Sequence, residues 1–307
     1  MYETLLLLLA VGLDLLLADP RWLPHPVRGL GAAYAALDAL ADRLGLRTRV
    51  FGVLSVGIVT GASAGLVWLA CRIPGVGAVC ALYFAYAGLA LGGLLREGRQ
   101  AAAQLTHGDL EAARTTIGGL VSRDVTAQDA AGLWRTLAET MAENANDAFV
   151  APLFWLAVAG PAGLWAYKAI STADSMWGYR TERYHRLGWF GARADDVLAW
   201  LPARLTALAM LLAARLMGWG RGVRFADIAV DAAKSASPNA GWPMAAAAWL
   251  CGGAMGGPAV YFGKAVQKPV LGPGGRLWDA TRFGMLMRLV LFESGIVVVI
   301  TVVLQKL

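Results

Sequence analysis

Charged side chains are scarce in this chain, and so are the residues that form disulfides and zinc sites. Asp, Glu, Lys and Arg make up 16% of the 307 residues, whereas soluble domains usually carry about 25%. There are three cysteines and three histidines, with no C-x-x-C pair and no Cys/His cluster. This scarcity argues against a disulfide framework and against a structural zinc site.

Apolar residues are abundant instead. They make up 58% of the chain, and the mean hydropathy is +0.54, so the composition indicates an integral membrane protein. The stretches 2–18, 51–71 and 75–95 are expected to cross the bilayer, because each is close to the roughly 20 residues that a span needs. Four further stretches are expected to be spans, half-helices or re-entrant pieces: 149–167, 197–219, 242–257 and 283–304.

Basic loops predict the orientation. The loops 19–50 and 96–148 each carry five arginines, so the positive-inside rule places both in the cytoplasm. The loop 168–196 is also basic, and Gly160-Pro161 gives the preceding apolar stretch a place to turn. We therefore predict a re-entrant element there that keeps this loop on the cytoplasmic side. The net charge of +6 fits loop orientation and anionic ligands rather than nucleic acid.

Together these features predict an all-α, polytopic integral membrane protein. We expect about five transmembrane helices, re-entrant or interfacial helices, and a helical cytoplasmic lobe over residues 96–148. The whole chain, 1–307, is predicted to form one membrane-embedded domain whose large basic loops face the cytoplasm.

Three carboxylates form the first candidate site. On an α-helix, Glu139, Glu143 and Asp147 fall at i, i+4 and i+8 and so share one face. Like charges arranged in this way repel one another unless a cation lies opposite. We predict that this face binds Mg²⁺, which takes one or two carboxylates together with substrate phosphates. The alternative is a solvated acidic face on a cytoplasmic helix.

Basic residues follow closely in the sequence. Arg180, Arg183 and Arg193 suit phosphate recognition, because a guanidinium binds oxyanions through two hydrogen bonds; the alternative is anchoring at the membrane rim. Arg204 lies inside an apolar helix, where an unpaired charge costs about 2.5–3.5 kcal/mol on insertion scales. It is expected to face the site and to pair with Asp195 or Asp196.

Several long motifs occur together and in a fixed order. They are DLLLADPRWLPHPV at 14–27, the stretch 139–147, DSMWGYRTERY at 174–184, ARADD at 192–196, PARLT at 202–206, SPNAGWP at 237–243 and YFG at 261–263. Over almost its full length the chain resembles the adenosylcobinamide-phosphate synthase family of cobalamin biosynthesis, also called CobD or CbiB. The related AmpE membrane proteins are less similar at the Ser-Pro-Asn block. One departure is Met244, where the family often has an acidic residue.

This resemblance implies an amide-forming ligation, carried out by a single catalytic domain, 1–307, in the inner membrane of a bacterium with its active site facing the cytoplasm. The family joins a propionate carboxyl of adenosylcobyric acid to (R)-1-amino-2-propanol O-phosphate, or a relative such as ethanolamine phosphate, with ATP and Mg²⁺. The implied partners are these substrates and the lipid bilayer. Other late cobalamin-assembly proteins are further candidate partners, and the resemblance leaves the oligomeric state open. The stretch 257–264 lacks the spacing and the Ser or Thr of a phosphate loop, so a nucleotide would use another scaffold.

We expect the site residues to serve this reaction. Lys168 and Asp174 are predicted to hold or deprotonate the amine, unless they form a structural ion pair. Catalysis is assigned to Glu143, Asp147, Lys168 and Asp174, and metal binding to Glu139, Glu143 and Asp147. Substrate or phosphate binding is assigned to Asp19, His25, Arg28, Tyr179, Arg180, Arg183, Arg193, Arg204, Ser237, Asn239 and Lys268.

Some of these assignments have structural alternatives. Asp19 before Pro20 also reads as a helix stop, and His25 is more often simply hydrogen-bonded than a proton carrier or corrin contact. Asp14, buried among leucines, needs a polar partner. The Ser237-Pro238-Asn239 loop is a phosphate or corrin-amide cradle or only a turn. Two rival functions are an AmpE-like sensor without catalysis and a transporter, although the absence of an inverted repeat counts against the latter.

Overall fold

The computed structural model describes residues 2–20 and 22–306, so Arg21 of the first basic loop lies outside the described residues. Helices dominate the fold. In chain order they are α1 (Tyr2–Leu17), α2 (Pro26–Leu44), α3 (Arg49–Ala70), α4 (Gly77–Gly88), α5 (Leu91–Thr106), α6 (Leu110–Gly118), α7 (Ala130–Asn144), the π-helix η1 (Ala145–Val150), α8 (Ala151–Trp177), α9 (Trp189–Leu198), α10 (Trp200–Leu216), α11 (Phe225–Ala232), α12 (Gly241–Cys251) and α13 (Ala280–Leu304). Two strands, β1 (Met255–Tyr261) and β2 (Lys264–Leu271), separate α12 from α13.

Several helices are long and apolar enough to cross a membrane. Among the described residues there are four such stretches, or five if α9 and α10 form one span. The four are Arg49–Ala70, Gly77–Thr106, Ala130–Trp177 and Ala280–Leu304. The predicted polytopic, mainly helical membrane fold is therefore confirmed. α1 has 16 residues and is shorter than the usual span of about 17–25.

Two compact units make up the chain. The first contains residues 1–92, 151–199 and 301–307, and the second contains 93–150 and 200–300. In the first, α3 packs on α8 and α9, and α1 packs on α4; in the second, α12 packs on α10, α11 and α7. The single catalytic domain expected from the sequence stays a prediction.

A β-hairpin is the main feature that the sequence did not predict. β1 and β2 pair in antiparallel register from Tyr261 opposite Lys264 to Met255 opposite Leu271, with a bulge between Met255 and Gly257. Glycine and proline are depleted in strands, and β1 contains both, which hides it among the apolar residues of 242–257. That stretch is not one helix, because α12 ends at Cys251.

The predicted break at Gly160-Pro161 is present. Ala159 and Gly160 leave the helical conformation inside α8, with φ 64° at Gly160, a left-handed value that glycine adopts without steric cost. Pro161 has no N–H to continue the ladder. Helix resumes directly after the break and runs to Trp177. A return of the chain to the same membrane side stays a prediction.

The three-carboxylate face is not formed by one continuous α-helix. Glu139 and Glu143 lie in α7, but residues 145–150 form a π-helix. Bonds from i to i+5 widen this turn and shift the phase of the helix after it. Asp147 lies within this wider turn, and its Oδ1 accepts a hydrogen bond from Asn146 at 2.7 Å. A helix-face pattern assumes an unbroken α-helical period, and here that assumption was wrong.

Candidate functional site

Glu139 is the centre of a buried charge cluster in the second unit. Its side chain is nearly inaccessible, and its Oε2 lies 2.5 Å from a guanidinium nitrogen of Arg123, which is also buried. Its Oε1 accepts the backbone N–H of Gly256 at 2.6 Å. The alternative of a solvated acidic face is therefore wrong at Glu139.

Arg123 is held in its charged form by this contact. Burial is the largest single influence and would lower the pKa of the guanidinium, but Glu139, Tyr261 and Glu143 together outweigh it, so the pKa is raised. The guanidinium also lies 5.9 Å from the ring centre of Tyr261. On the sequence alone, Arg123 counted only as a loop charge.

Lys268 and Glu143 belong to the same cluster. The Lys268 ammonium lies 5.0 Å from the ring centre of Tyr261, within the range of a cation–π contact. Glu143 is half-buried and interacts electrostatically with Lys268, Arg123 and Glu139. The structure thus brings together three predicted site residues, Glu139, Glu143 and Lys268.

Arg135 completes the cluster and was also missed as a site residue. Its guanidinium donates a hydrogen bond to the carbonyl of Pro258 at 3.0 Å and lies 3.9 Å from Glu139. Its position four residues before Glu139 on α7 is the one signal that could have revealed this pairing. The positive-inside rule explained the same charge without a partner.

The carboxylates fit a metal ion only in part. In the described portion of the chain, no group of three or more His, Cys, Asp or Glu side chains is arranged to hold a metal. Glu139 does not fit, because Arg123 and Gly256 already engage its two oxygens. Mg²⁺ needs only one or two protein carboxylates when phosphates supply the other oxygens, so binding by Glu143 and Asp147 stays a prediction.

The first unit holds a second polar cluster around the end of α1. Asp14 is fully buried, and its Oδ2 accepts the N–H groups of Leu91 and Gly92 at 2.9 and 3.2 Å. Asp14 also interacts electrostatically with Asp19 and with Lys168. The polar partner that this aspartate needed is therefore the start of α5.

His25 acts as the N-cap of α2. Its Nδ1 accepts the N–H of Val27 at 3.3 Å, and its Nε2 lies 3.2 Å from Asp19. Because Nδ1 is an acceptor, a neutral ring carries its proton on Nε2, toward the carboxylate. Both ring nitrogens of His25 thus have protein partners, and its assignment to substrate binding stays a prediction.

Arg183 is engaged by acidic residues of α2. Its guanidinium lies 2.8 Å from Asp38 and 2.7 Å from Asp42, and Arg47 binds the same two carboxylates. Hydrogen bonds from Arg47 and Arg183 lower the pKa of Asp42 to about 2. In this structure Arg183 bridges the loop to α2, whereas the sequence suggested a phosphate ligand.

The remaining predicted residues of the first unit differ in exposure. Arg28, Arg180 and Arg193 are exposed, while Asp174 and Tyr179 are half-buried. Arg193 lies 3.9 Å from Asp196, but its side chain is 70% exposed, so the pairing is loose.

Arg204 is bound to aromatic and amide partners in the second unit. Its guanidinium carbon lies 4.2 Å from the ring centre of Trp200 and 4.8 Å from that of Trp242. It also donates to the side-chain oxygen of Asn239 at 3.1 Å. The predicted pairing of Arg204 with Asp195 or Asp196 is wrong, because the partners of its guanidinium are two indole faces and the Asn239 amide.

The Ser237 loop is closed on itself. The Ser237 hydroxyl accepts the N–H groups of Asn239 and Ala240, both at 3.2 Å. These amides are the groups that a phosphate cradle would present, so this loop has the bonds of a turn before α12. Such a motif is favoured by the hydroxyl of serine at this position.

These observations define a class first: a multi-pass membrane protein with polar, charged clusters buried in each of its two units. Comparison with known proteins then identifies the family. The model of the CobD/CbiB protein family matches residues 7–290, and the chain belongs to this family, which has a role in cobalamin biosynthesis.

Individual relatives agree with this assignment. The chain is 40% identical to the cobalamin biosynthesis protein CobD of Geobacter metallireducens over 306 residues, covering 98% of this chain and 96% of that protein. It is 41% identical to CobD of Pelobacter propionicus over 92% of this chain and 89% of the relative. It is 36% identical to the cobalamin biosynthesis protein CbiB of Salmonella typhi, over 86% of this chain and 85% of the relative. No solved structure matches the chain.

Proposed function

We propose that this protein is an adenosylcobinamide-phosphate synthase, a carbon–nitrogen ligase that uses ATP. It joins (R)-1-amino-2-propanol O-phosphate, or ethanolamine phosphate, to a propionate carboxyl of adenosylcobyric acid. The observation that carries the proposal is the buried cluster in which Glu143 interacts with Lys268 and Arg123. Membership of a cobalamin biosynthesis family supports the corrinoid substrate.

The second unit is proposed to bind the nucleotide. Lys268 and Arg135 supply cations for phosphate oxygens, as phosphoryl transfer requires charge neutralisation more than covalent help. Glu143 and Asp147 are the residues proposed to hold Mg²⁺, which would neutralise and orient the phosphates when bound. Glu139 is not part of this set, because its oxygens are engaged by Arg123 and Gly256.

The first unit is proposed to bind the amine phosphate. Lys168 and Asp174 are the candidates for holding the amine or removing its proton, and the half-buried Lys168 interacts with Asp14. Arg180 is exposed and suits the phosphate. Arg183 suits it less, since it already bridges Asp38 and Asp42.

Two routes satisfy the balance of atoms. In the acyl-phosphate route, the corrinoid carboxylate attacks the γ-phosphorus of ATP and ADP leaves. The amine nitrogen then attacks the acyl carbon, the C–O bond breaks, inorganic phosphate leaves and the nitrogen loses a proton. In the adenylate route, the carboxylate attacks the α-phosphorus, pyrophosphate leaves first and AMP leaves on amide formation.

The proposed active site faces the cytoplasm of a bacterial inner membrane, where ATP is available. The basic loops 19–50 and 96–148 support this orientation. Single cysteines placed in the loop 119–129 and near Glu182 should react with a membrane-impermeant thiol reagent only after the cytoplasmic side is opened. Labelling of the Glu182 position from the periplasm would show that the polar loop of the first unit lies on the side of the membrane without ATP, which would contradict the proposed orientation.

The decisive experiment uses purified protein in detergent with adenosylcobyric acid, the amine phosphate and Mg-ATP. We expect the amide product together with ADP or AMP, which identifies the route. Glu143→Gln should remove most activity, because an amide replaces a hard anionic ligand poorly, while Glu111→Gln, an exposed acid on α6, should retain it. A folded wild-type protein that forms no amide would favour the AmpE-like sensor instead.

A further inference from the structure

We propose that the buried Arg123–Glu139 pair positions the β-hairpin and with it Lys268, whose ammonium lies 5.0 Å from the ring centre of Tyr261. Glu139 is thus a positioning residue and not a metal ligand. This inference rests on the proposed function for the role of Lys268, whereas the anchoring of the hairpin stands on contacts alone.

Three hydrogen bonds tie β1 to the segment 123–139. The N–H of Gly256 donates to Glu139 at 2.6 Å, and the carbonyl of Pro258 accepts from Arg135 at 3.0 Å. The carbonyl of Val260 accepts the backbone N–H of Asp124, the neighbour of Arg123, at 2.9 Å. Because these contacts fall at alternate residues of β1, they hold the strand along its length and not at one point.

The bulge in β1 places the anchored residue Gly256 close to Lys268 of β2 in the strand pairing. Gly256 and Gly257 both have positive φ, and a Cβ on Gly256 would lie 2.0 Å from the carbonyl oxygen of Pro269. Gly257 is the residue that pairs with Lys268 across the hairpin. The amide held by Glu139 is therefore directly next to the partner of the lysine.

A carboxylate at this position can accept the Gly256 amide hydrogen bond and bind Arg123, whereas an apolar side chain of the same volume could do neither. Glu139 supplies two acceptor oxygens, one for the Gly256 amide and one for the Arg123 guanidinium. Its negative charge is thereby matched inside the cluster. Glu143 is left as the carboxylate that interacts with the Lys268 ammonium.

The test compares Glu139→Gln with Glu143→Gln in steady-state ligation at varied Mg²⁺ and ATP. If Glu139 positions Lys268, Glu139→Gln should raise the KM for ATP by about 10- to 100-fold, the usual cost of a small misplacement. The Mg²⁺ concentration for half-maximal activity should not change. Glu143→Gln should raise that concentration, and excess Mg²⁺ should partly rescue it. The exposed Glu111→Gln is the matched control.

A second measurement keeps the two proposals separate. Hydrogen exchange of the amides in 255–271 should accelerate in Glu139→Gln and in Arg123→Gln, and should slow again in the double variant, which carries no unpaired buried charge. This outcome is independent of turnover, so it stands even if the wild-type protein forms no amide. Unchanged exchange in both single variants, or a Mg²⁺ dependence shifted as in Glu143→Gln, would overturn the positioning role.

Discussion

The carboxylate of Asp14 accepts the backbone N–H of Leu91 at 2.9 Å, which ties the buried face of α1 to the first residue of α5. The N–H of Gly92 donates to the same oxygen. The chain between α4 and α5 can thus break at Leu89, whose conformation is extended, without leaving these two amides unsatisfied. One aspartate side chain therefore replaces a missing turn of helix.

This contact predicts different outcomes for two substitutions. Asp14→Ala leaves two buried amides without an acceptor and should lower stability by about 1–3 kcal/mol. Asp14→Asn keeps a carbonyl oxygen of the same reach and should fold with a smaller loss. Thermal unfolding in detergent measures both. Equal melting temperatures for the Ala and Asn variants would mean that the amides find other acceptors.

The close approach of α1 and α5 at Gly92 gives a second prediction. A Cβ there would lie 2.0 Å from the carbonyl oxygen of Asp14, which is backbone and cannot rotate away. Gly92→Ala should therefore destabilise the protein by about 1–3 kcal/mol through overpacking. Gly12→Ala, on α1 with nothing within 4 Å of the added atom, is the control and should melt no lower than wild type. A Gly92→Ala protein as stable as the control would contradict the packing.

A third prediction concerns pH and Arg183. The pKa of Asp42 falls from 3.8 to about 2 in the folded protein, mainly through Arg47 and then Arg183. A lowered carboxyl pKa stabilises the fold fully above 3.8, and this contribution is lost as pH falls toward 2. Arg183→Gln should therefore be less stable than wild type at pH 7, and the difference should shrink between pH 4 and pH 2.

Thermal unfolding across this pH range, with Arg186→Gln as an exposed control in the same loop, provides the measurement. Exposed ion pairs contribute little individually, so the effect should be small and sensitive to salt. Arg183→Gln could instead be as stable as wild type at every pH while its KM for the amine phosphate rises. That result would support the role of phosphate ligand that the sequence predicted for Arg183.

The membrane-spanning architecture could be predicted because long apolar stretches reflect one strong constraint, the thickness of the bilayer. The expectation that Asp14 has a polar partner followed from the cost of a carboxylate among apolar residues, and the structure shows this partner in the N–H of Leu91. Glu139, Glu143 and Lys268 were also identified in advance, from their residue types and from the family motifs. Their roles were less accessible, because a role depends on neighbours.

Partners distant in sequence explain most of the contacts that were missed. Arg183 binds Asp38 and Asp42, which are 145 and 141 positions away, and neither periodicity nor charge count relates such residues. Arg123 has no periodic relation to Glu139. β1 carries Gly256 and Gly257 at its bulge and Pro258 directly after it, so its sequence does not have the residue pattern of a strand.

Because of the π-helix at 145–150, the fold of this segment should depend more on the number of its residues than on their identity. Glu139 before it binds Gly256, and Asn146 within it accepts a hydrogen bond from Thr206 at 3.2 Å. Deleting one residue just before Asn146 would rotate the remainder of the helix by about 100° about its axis. One of these two contacts would then have to break. Conservative replacements in this stretch should leave the fold intact, whereas single-residue insertions and deletions should disrupt it.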